Sequence, residues 1–374
     1  MKRLLYIAPA LLASQFIPGA GFWGPIVLLV GLIFFHELGH FLVAKWMGMP
    51  VDVFSLGFGT RIAGFSWKET DVRLSLLPLG GYVRLAGYNP EEPEAQDPNG
   101  FLAQPAWKRL FFYSGGILAN ILITVVLFFG LGVDQARITS QRPAPSPLQI
   151  IEVTPGSAAA EAGLQSGDQI HSFGELSFPG NKSEDAITYI QSRPGTPIPV
   201  TLERDGATRT LQVVPKNEGG RGKLGVYFEV SNWIYDRRPV QFKDLGKGAQ
   251  FGVVASAKLG WEIFGNFGKL ITHKVSFKEV GGPITIVRAG SRAAKAGLAQ
   301  FLLLTALISM NLAVLNALPI PFLDGGHAAI LIVERIRGKD LSILVKERIL
   351  QGGFFFLASL MAMVIALDIL KLRN

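Results

Sequence analysis

Four stretches of this chain are apolar over the roughly 20 residues that a helix needs to cross a bilayer: residues 22–44, 110–133, 298–323 and 350–370. Between them the pattern changes. Residues 51–88 carry β-prone segments, Val51-Asp52-Val53-Phe54-Ser55-Leu56 and Val72-Arg73-Leu74-Ser75-Leu76-Leu77, with Gly57, Gly59 and Gly80-Gly81 at the bends. That pattern predicts a hairpin or small sheet directly after the first span. Residues 89–100, with Pro90, Glu91, Glu92, Pro93, Glu94, Asp97 and Pro98, read as a solvated acidic loop. Residues 135–216 hold short strand patterns, including 199–204 and 209–214 around the turn Asp205-Gly206, and predict a separate soluble domain.

Residues 217–297 mix Phe242, Leu245, Phe251 and Trp261 with Lys243, Lys247 and Lys258. Helices lying on the membrane surface suit that mixture, and packing against the soluble domain suits it equally. At the start of the chain, Lys2-Arg3 precede an apolar run at 4–13. A signal-peptide core has this form, and so does the favoured alternative, an uncleaved interfacial segment leading into the first span.

Composition supports the membrane assignment. Only 17% of the 374 residues are charged, against about 25% in soluble domains, and mean hydropathy is +0.34. There are no cysteines, so a disulfide framework and a thiolate metal site are both excluded. The net charge of +8 is spread over loops and helix ends. Anionic lipid headgroups account for it better than nucleic acid does, and no nucleic-acid partner is expected. Basic residues crowd the segment between spans three and four (Arg335, Arg337, Lys339, Lys346, Arg348) and that between spans one and two (Lys45, Arg61, Lys68, Arg73, Arg84, Lys108, Arg109). The positive-inside rule makes both cytoplasmic, with the termini and the long 135–297 segment outside.

The candidate chemistry lies inside the first span, at His36-Glu37-Leu38-Gly39-His40. An ionisable group costs about 2.5–3.5 kcal/mol at the centre of a membrane helix, which marks it as functional. Two histidines four residues apart share a helix face, reach one Zn²⁺ together and place Glu37 beside it as general base. A catalytic zinc needs a third protein ligand. The third span runs in the same direction and ends in Asn316-Ala317-Leu318-Pro319-Ile320-Pro321-Phe322-Leu323-Asp324-Gly325-Gly326-His327. Asp324 arrives at matching depth and is the preferred third ligand, with His327 as its competitor. The two prolines interrupt the helix, which a membrane tolerates only where protein or a water-filled cavity satisfies the backbone.

The pair of motifs at 36–40 and 315–326 resembles the site-2 protease family, intramembrane zinc metalloproteases that cut transmembrane helices. Residues 54–59 and 78–83 are similar to the family's re-entrant β-hairpin, and Gly282-Pro283-Ile284 to its stretch before the third span. Leu148–Ala159, Ala162–Ile170 and the two strands after them resemble a bacterial PDZ domain, a fold that captures peptide ends by strand addition. The bacterial RseP type, with a PDZ insert between spans two and three, is the nearest resemblance, here with a single PDZ unit.

That resemblance implies His36, His40 and Asp324 as zinc ligands and Glu37 as the base. It implies substrate binding by Asn316, by Asn120 and by the glycine-rich hairpin (Gly57, Phe58, Gly59, Gly80, Gly81). The second span departs from the family's Gly-Pro-x-x-Asn: Gly116-Ile117-Leu118-Ala119-Asn120 lacks the proline. The expected architecture is a multi-pass α-helical membrane protein with four transmembrane helices, a membrane-re-entrant β-hairpin or sheet and one inserted α+β PDZ domain. Its parts are 1–134 and 298–374 as the two halves of the membrane core, 135–216 as the PDZ domain and 217–297 as a membrane-surface linker. The implied function is zinc-dependent cleavage of membrane proteins in the bacterial inner membrane. Substrates would be single-span anti-sigma factors or remnant signal peptides, with peptide C-termini or substrate ectodomains docking on an extracytoplasmic PDZ domain.

Overall fold

A computed structural model describes residues 20–89, 97–143, 148–178, 180–181, 183–228, 233–272 and 281–373. The opening segment 1–19 and most of the expected acidic loop lie outside the described residues. Among the described residues, four helices are long and apolar enough to cross a membrane: Trp23–Trp46, Ala106–Ala136, Leu298–Ala317 and Ile343–Leu370. The third is shorter than the apolar pattern predicts. Pro319 and Pro321 cannot donate backbone hydrogen bonds, and the helix stops at Ala317.

Helix α1 (Ala20–Trp46) leads into strands β1 (Val51–Trp67) and β2 (Thr70–Leu85). These strands are long and sharply bent. The Val53–Leu56 stretch lies beside Asp71–Leu74 on one side and beside Gly81–Arg84 on the other. The bends fall where a Cβ is not tolerated: Gly57 has φ +94°, and a Cβ there would come 2.8 Å from the Leu77 carbonyl oxygen. Phe41, Ala44, Val51, Phe54, Leu85 and Phe112 form a buried core that seats this sheet against the end of α1.

Helix α2 (Ala106–Ala136) returns along α1 in the opposite direction, with His36 beside Asn120 and His40 beside Phe112. The two helices touch through glycine. A Cβ on Gly39 would lie 2.3 Å from the Gly115 carbonyl oxygen, and one on Gly115 would lie 2.8 Å from that of Gly39. Small residues permit such backbone contact where no hydrophobic effect drives helices together.

The α+β unit follows. Strand β3 (Ile138–Pro143) precedes β4 (Leu148–Val153), a short helix α3 (Ala158–Glu161), β5 (Gln169–Phe173) and β6 (Leu176–Ser177). Helix α4 (Ser183–Gln191), β7 (Ile198–Arg204), β8 (Ala207–Val213), β9 (Lys216–Glu218), β10 (Arg221–Lys223), β11 (Val226–Phe228) and β12 (Trp233–Arg237) complete it. The main sheet runs β11-β4-β5-β7-β8, so β11 is an edge strand. Leu148, Ile150, Ile170, Phe173, Val200, Leu202 and Val213 fill its core. The expected boundary at residue 216 therefore falls inside the folded unit: β11 pairs with β4, and Leu224 and Phe228 join the core. Strand β12 then pairs with β3, closing the unit next to the end of α2.

Helix α5 (Phe242–Ile271) differs from a helix lying flat on a surface. Gly248 packs on Val133 and Phe129, Gly252 on Val125, and Ile263 joins Met310, Ala313 and Ile117. The helix thus runs along α2 and reaches the next span. Its glycines let the backbone approach, while Lys258, Trp261 and Phe264 stay on the outer side. Its start is pinned by Arg238, which donates two 2.7 Å hydrogen bonds to Asp244.

Helix α6 (Pro283–Ala296) precedes α7 (Leu298–Ala317), α8 (Asp324–Arg337) and α9 (Ile343–Arg373). Asp368 of α9 accepts the N–H groups of Gly282 and Thr285, both at 3.1 Å, and the Thr285 hydroxyl at 2.7 Å. It caps the start of α6. Gly290 of α6 meets Pro25, and Gly24 meets Ala294, so α6 wedges against the far end of α1. On its other side the Arg292 guanidinium lies 3.9 Å from the centre of the Tyr227 ring and 3.8 Å from the Glu152 carboxylate. Arg292 joins the helical core to strands β11 and β4.

Candidate metal centre

The site is built where α1, α2 and the start of α8 meet. His36 and His40 project from one face of α1, and their Nε2 atoms lie 3.3 Å apart. Asp324, in the first turn of α8, places Oδ2 3.3 Å from His36 Nε2 and 3.3 Å from His40 Nε2. Among the described residues this is the one group of three or more His, Asp or Glu side chains able to share a metal ion. The three edges are equal, and their length carries meaning. Ligands about 2.0–2.1 Å from a tetrahedral zinc lie about 3.3 Å from one another.

A second observation favours a cation. The Oδ2 atom of Asp324 is buried and has no hydrogen-bond partner among the described residues, which is costly unless a positive charge faces it. Asp324 does not cap its helix either: the N-cap of α8 is Leu323, with no side-chain capping bond. Two nitrogens and one carboxylate oxygen, with no thiolate, form a donor set that suits a catalytic zinc with an open fourth position.

The surroundings fix each ligand. His40 Nδ1 donates to the Phe112 carbonyl at 2.8 Å, which leaves Nε2 free to coordinate. His36 Nδ1 lies 3.1 Å from the amide of the fully buried Asn120. The amide oxygen has no other partner among the described residues, and turned toward the ring it accepts the Nδ1 proton that a metal-bound Nε2 requires. The backbone carbonyl of Asn120 in turn accepts from Ser309 Oγ at 2.9 Å, tying α7 to the site.

Space for the imidazoles comes from Gly116, where a Cβ would lie 2.4 Å from His36 Cε1 and 2.5 Å from His40 Nε2. The Asp324 turn is locked in a similar way. A Cβ on Gly325 would lie 2.3 Å from the Leu318 oxygen, and one on Gly326 2.1 Å from the Ile320 oxygen. Phe322 takes φ +81° just before it, an unusual value for a non-glycine residue. Local strain of this kind persists only where the surroundings impose it. Here α9 does so, with Gly353 against Pro321 and Phe354 against Phe322 at 5.5 Å.

Glu37 is close enough to interact electrostatically with His36, His40 and Asp324, and its side chain lies against Gly81 of β2. The glycine-rich hairpin is thereby brought to the acid. Gly57, Gly59 and Gly80 take φ of +94°, +85° and +154°, and Phe58 stacks on Tyr82 at 6.0 Å. Asn316 is half-buried near the end of α7, and its side-chain amide makes no hydrogen bond to a described residue. His327 stands outside the three-ligand group and stacks on Tyr113 instead. Gly116, Phe112 and Tyr113 were not singled out by sequence reasoning as parts of the site. Gly116 was visible as part of a motif, whereas Phe112 acts through its carbonyl, which every residue possesses.

The model of Peptidase family M50 matches residues 25–360. The chain belongs to this family. A relative from Nostoc sp., named "Putative zinc metalloprotease", is 34% identical over 349 residues, covering 90% of this chain and 92% of its own length. A relative of the same description from Agrobacterium fabrum is 31% identical over 375 residues, covering 94% and 96%. The Arabidopsis thaliana protein named "Membrane metalloprotease ARASP, chloroplastic" is 32% identical over 357 residues, covering 93% of this chain and 78% of the relative. This M50 chain is a membrane zinc metalloprotease, and the 3.3 Å triangle of His36, His40 and Asp324 has the donor set and spacing to fit zinc.

Proposed function

We propose that this M50 protease cleaves peptide bonds within or beside transmembrane segments of other membrane proteins, in the manner of the site-2 proteases. The observation that carries the reading is the position of the ligand triangle. His36 and His40 lie inside an apolar helix of spanning length, and Asp324 joins them just beyond another. Substrates would be single-span proteins of the anti-sigma-factor or remnant-signal-peptide type, bound from the lipid.

His36, His40 and Asp324 would hold the zinc, which when bound would supply acidification of a water molecule and polarisation of the scissile carbonyl. Glu37 accepts the proton as the water oxygen bonds to the carbonyl carbon. It then delivers that proton to the amide nitrogen as the C–N bond breaks. Asn120 and the Phe112 carbonyl hold the two histidine rings in the required tautomers.

A helical substrate hides its carbonyls in hydrogen bonds and must be extended first. The 80–85 segment of β2, which pairs with β1 on one side and reaches Glu37 through Gly81, suits addition of an extended substrate strand. Reading this sheet as re-entrant accords with the exposed Ile62, Phe65, Leu76 and Leu77. The amide of Asn316, unpaired among the described residues, suits a bond to the substrate backbone. The α+β unit is read as one PDZ domain, with β11 as the edge strand that would take a peptide end. It screens or docks substrates on the extracytoplasmic side of a bacterial inner membrane, while the metal lies toward the cytoplasm.

The test is cleavage of a model single-span substrate in reconstituted vesicles by wild type and by Glu37→Gln. Cleavage inside the span that is lost in the variant supports the reading. Equal processing by both, or cleavage confined to water-exposed loops, would overturn it.

A further inference from the structure

Two aromatic residues beside the metal site take no part in the chemistry above. Tyr113 of α2 and His327 of α8 stack with ring centroids 5.2 Å apart and planes 12° apart. His327 lies three residues after Asp324 on α8, so both side chains rise from neighbouring positions on one helix face. Tyr113 follows Phe112, whose carbonyl holds His40. Consecutive residues of α2 thus touch both halves of the ligand set. Phe112 fixes a histidine of α1, and Tyr113 grips the turn of α8 that bears the carboxylate.

The Tyr113 ring is itself held. It lies close to the Tyr88 side chain, and its edge packs on Phe101 at 5.7 Å and on Phe112 at 5.6 Å. Asp324 has little support beyond the two histidines. Its Oδ2 lies 3.3 Å from each imidazole nitrogen and has no hydrogen-bond partner among the described residues, it caps nothing, and the residue two before it has a positive φ. Its aim therefore comes from where the first turn of α8 is placed.

We propose that the Tyr113–His327 stack is a positioning device for zinc binding. It sets the depth and rotation of the first turn of α8, so that Asp324 Oδ2 falls between the two histidine nitrogens. The inference rests on the three-ligand reading of the site. It assigns His327 a role through its ring plane, and not as a ligand, since His327 lies outside the group of side chains whose ligand atoms come together.

Zinc affinity of the purified full-length protein in detergent, measured by competition with a chelating dye, tests the proposal without reference to cleavage. His327→Phe and Tyr113→Phe keep a flat ring and are expected to bind zinc within about threefold of wild type. His327→Leu and Tyr113→Leu remove the stack and are expected to lose about 10- to 100-fold, the usual effect of disturbing a ligand's support. In an Asp324→Ala background, His327→Leu is expected to cause no further loss.

Wild-type affinity in both leucine variants would overturn the proposal. So would equal losses in His327→Phe and His327→Leu, which would make the imidazole itself a ligand. A further loss on top of Asp324→Ala would also overturn it, because the effect would then not pass through the carboxylate. Should His327→Leu fail to fold, judged by thermal unfolding of the metal-free protein, Tyr113→Leu reads the same contact from the other helix. The same measurements made in Glu37→Gln keep the outcome separate from the fate of the cleavage reading.

Discussion

Gly116 lies directly against the His36 imidazole: a methyl group added there would come 2.4 Å from His36 Cε1. It would also meet His40 Nε2 at 2.5 Å. No side-chain flexibility absorbs this, because both rings are held on their far sides by Asn120 and the Phe112 carbonyl. Gly116→Ala is therefore expected to lower zinc affinity by about 10- to 100-fold and to reduce proteolysis with it. Full zinc retention, measured by metal analysis after dialysis, would show that the rings can move aside.

Asn120 should matter through the tautomer of His36. Asn120→Ala removes the acceptor for Nδ1–H and is expected to cost about 10-fold or more in zinc affinity. Asn120→Asp keeps an acceptor and should retain most of it. Identical affinities for the alanine and aspartate variants, in a chelator competition, would argue that the contact does not orient the ring.

Arg292 should control how firmly the α+β unit is held to the helices. The guanidinium–ring contact at 3.9 Å to Tyr227 is of a kind that contributes about 0.5–2 kcal/mol. The part-exposed pair with Glu152 adds little. Arg292→Ala is expected to speed proteolytic release of the unit by a few-fold to about 10-fold, while leaving zinc affinity unchanged. An unaltered release rate in native membranes would mean that other contacts hold the unit.

The start of α5 should be acid-sensitive. The Arg238 guanidinium and the Gln241 N–H hold the Asp244 carboxyl well below the usual carboxylate range. A carboxyl whose folded pKa is depressed contributes stability above its unfolded pKa, near 3.9, and loses that contribution as the pH falls below it. Metal-free wild type is expected to be more stable than Asp244→Asn at neutral pH. The two should converge progressively below about pH 4. A constant difference across that range, read from thermal unfolding, would exclude this linkage.

The four spans were legible from apolar length alone, and the histidine pair of the proposed metal site from its i, i+4 spacing, because both are local properties of one helix. Asp324 was also reachable, since the direction of the spans sets the depth of whatever follows them. The sequence by itself determined the membrane class, the candidate ligand types and the interruption at Pro319 and Pro321. Only the tertiary structure decided the rest. Whether His327 or Asp324 faces the histidines depends on which side of α8 meets α2, and Tyr113 occupies the His327 side. The sheet boundary near 216 depended on β11 returning to β4 across some 70 intervening residues. The course of α5 along α2 depended on Gly248 and Gly252 finding Phe129. Periodicity marks which face of an element is apolar, but the partner that covers that face is chosen by contacts far apart in the chain.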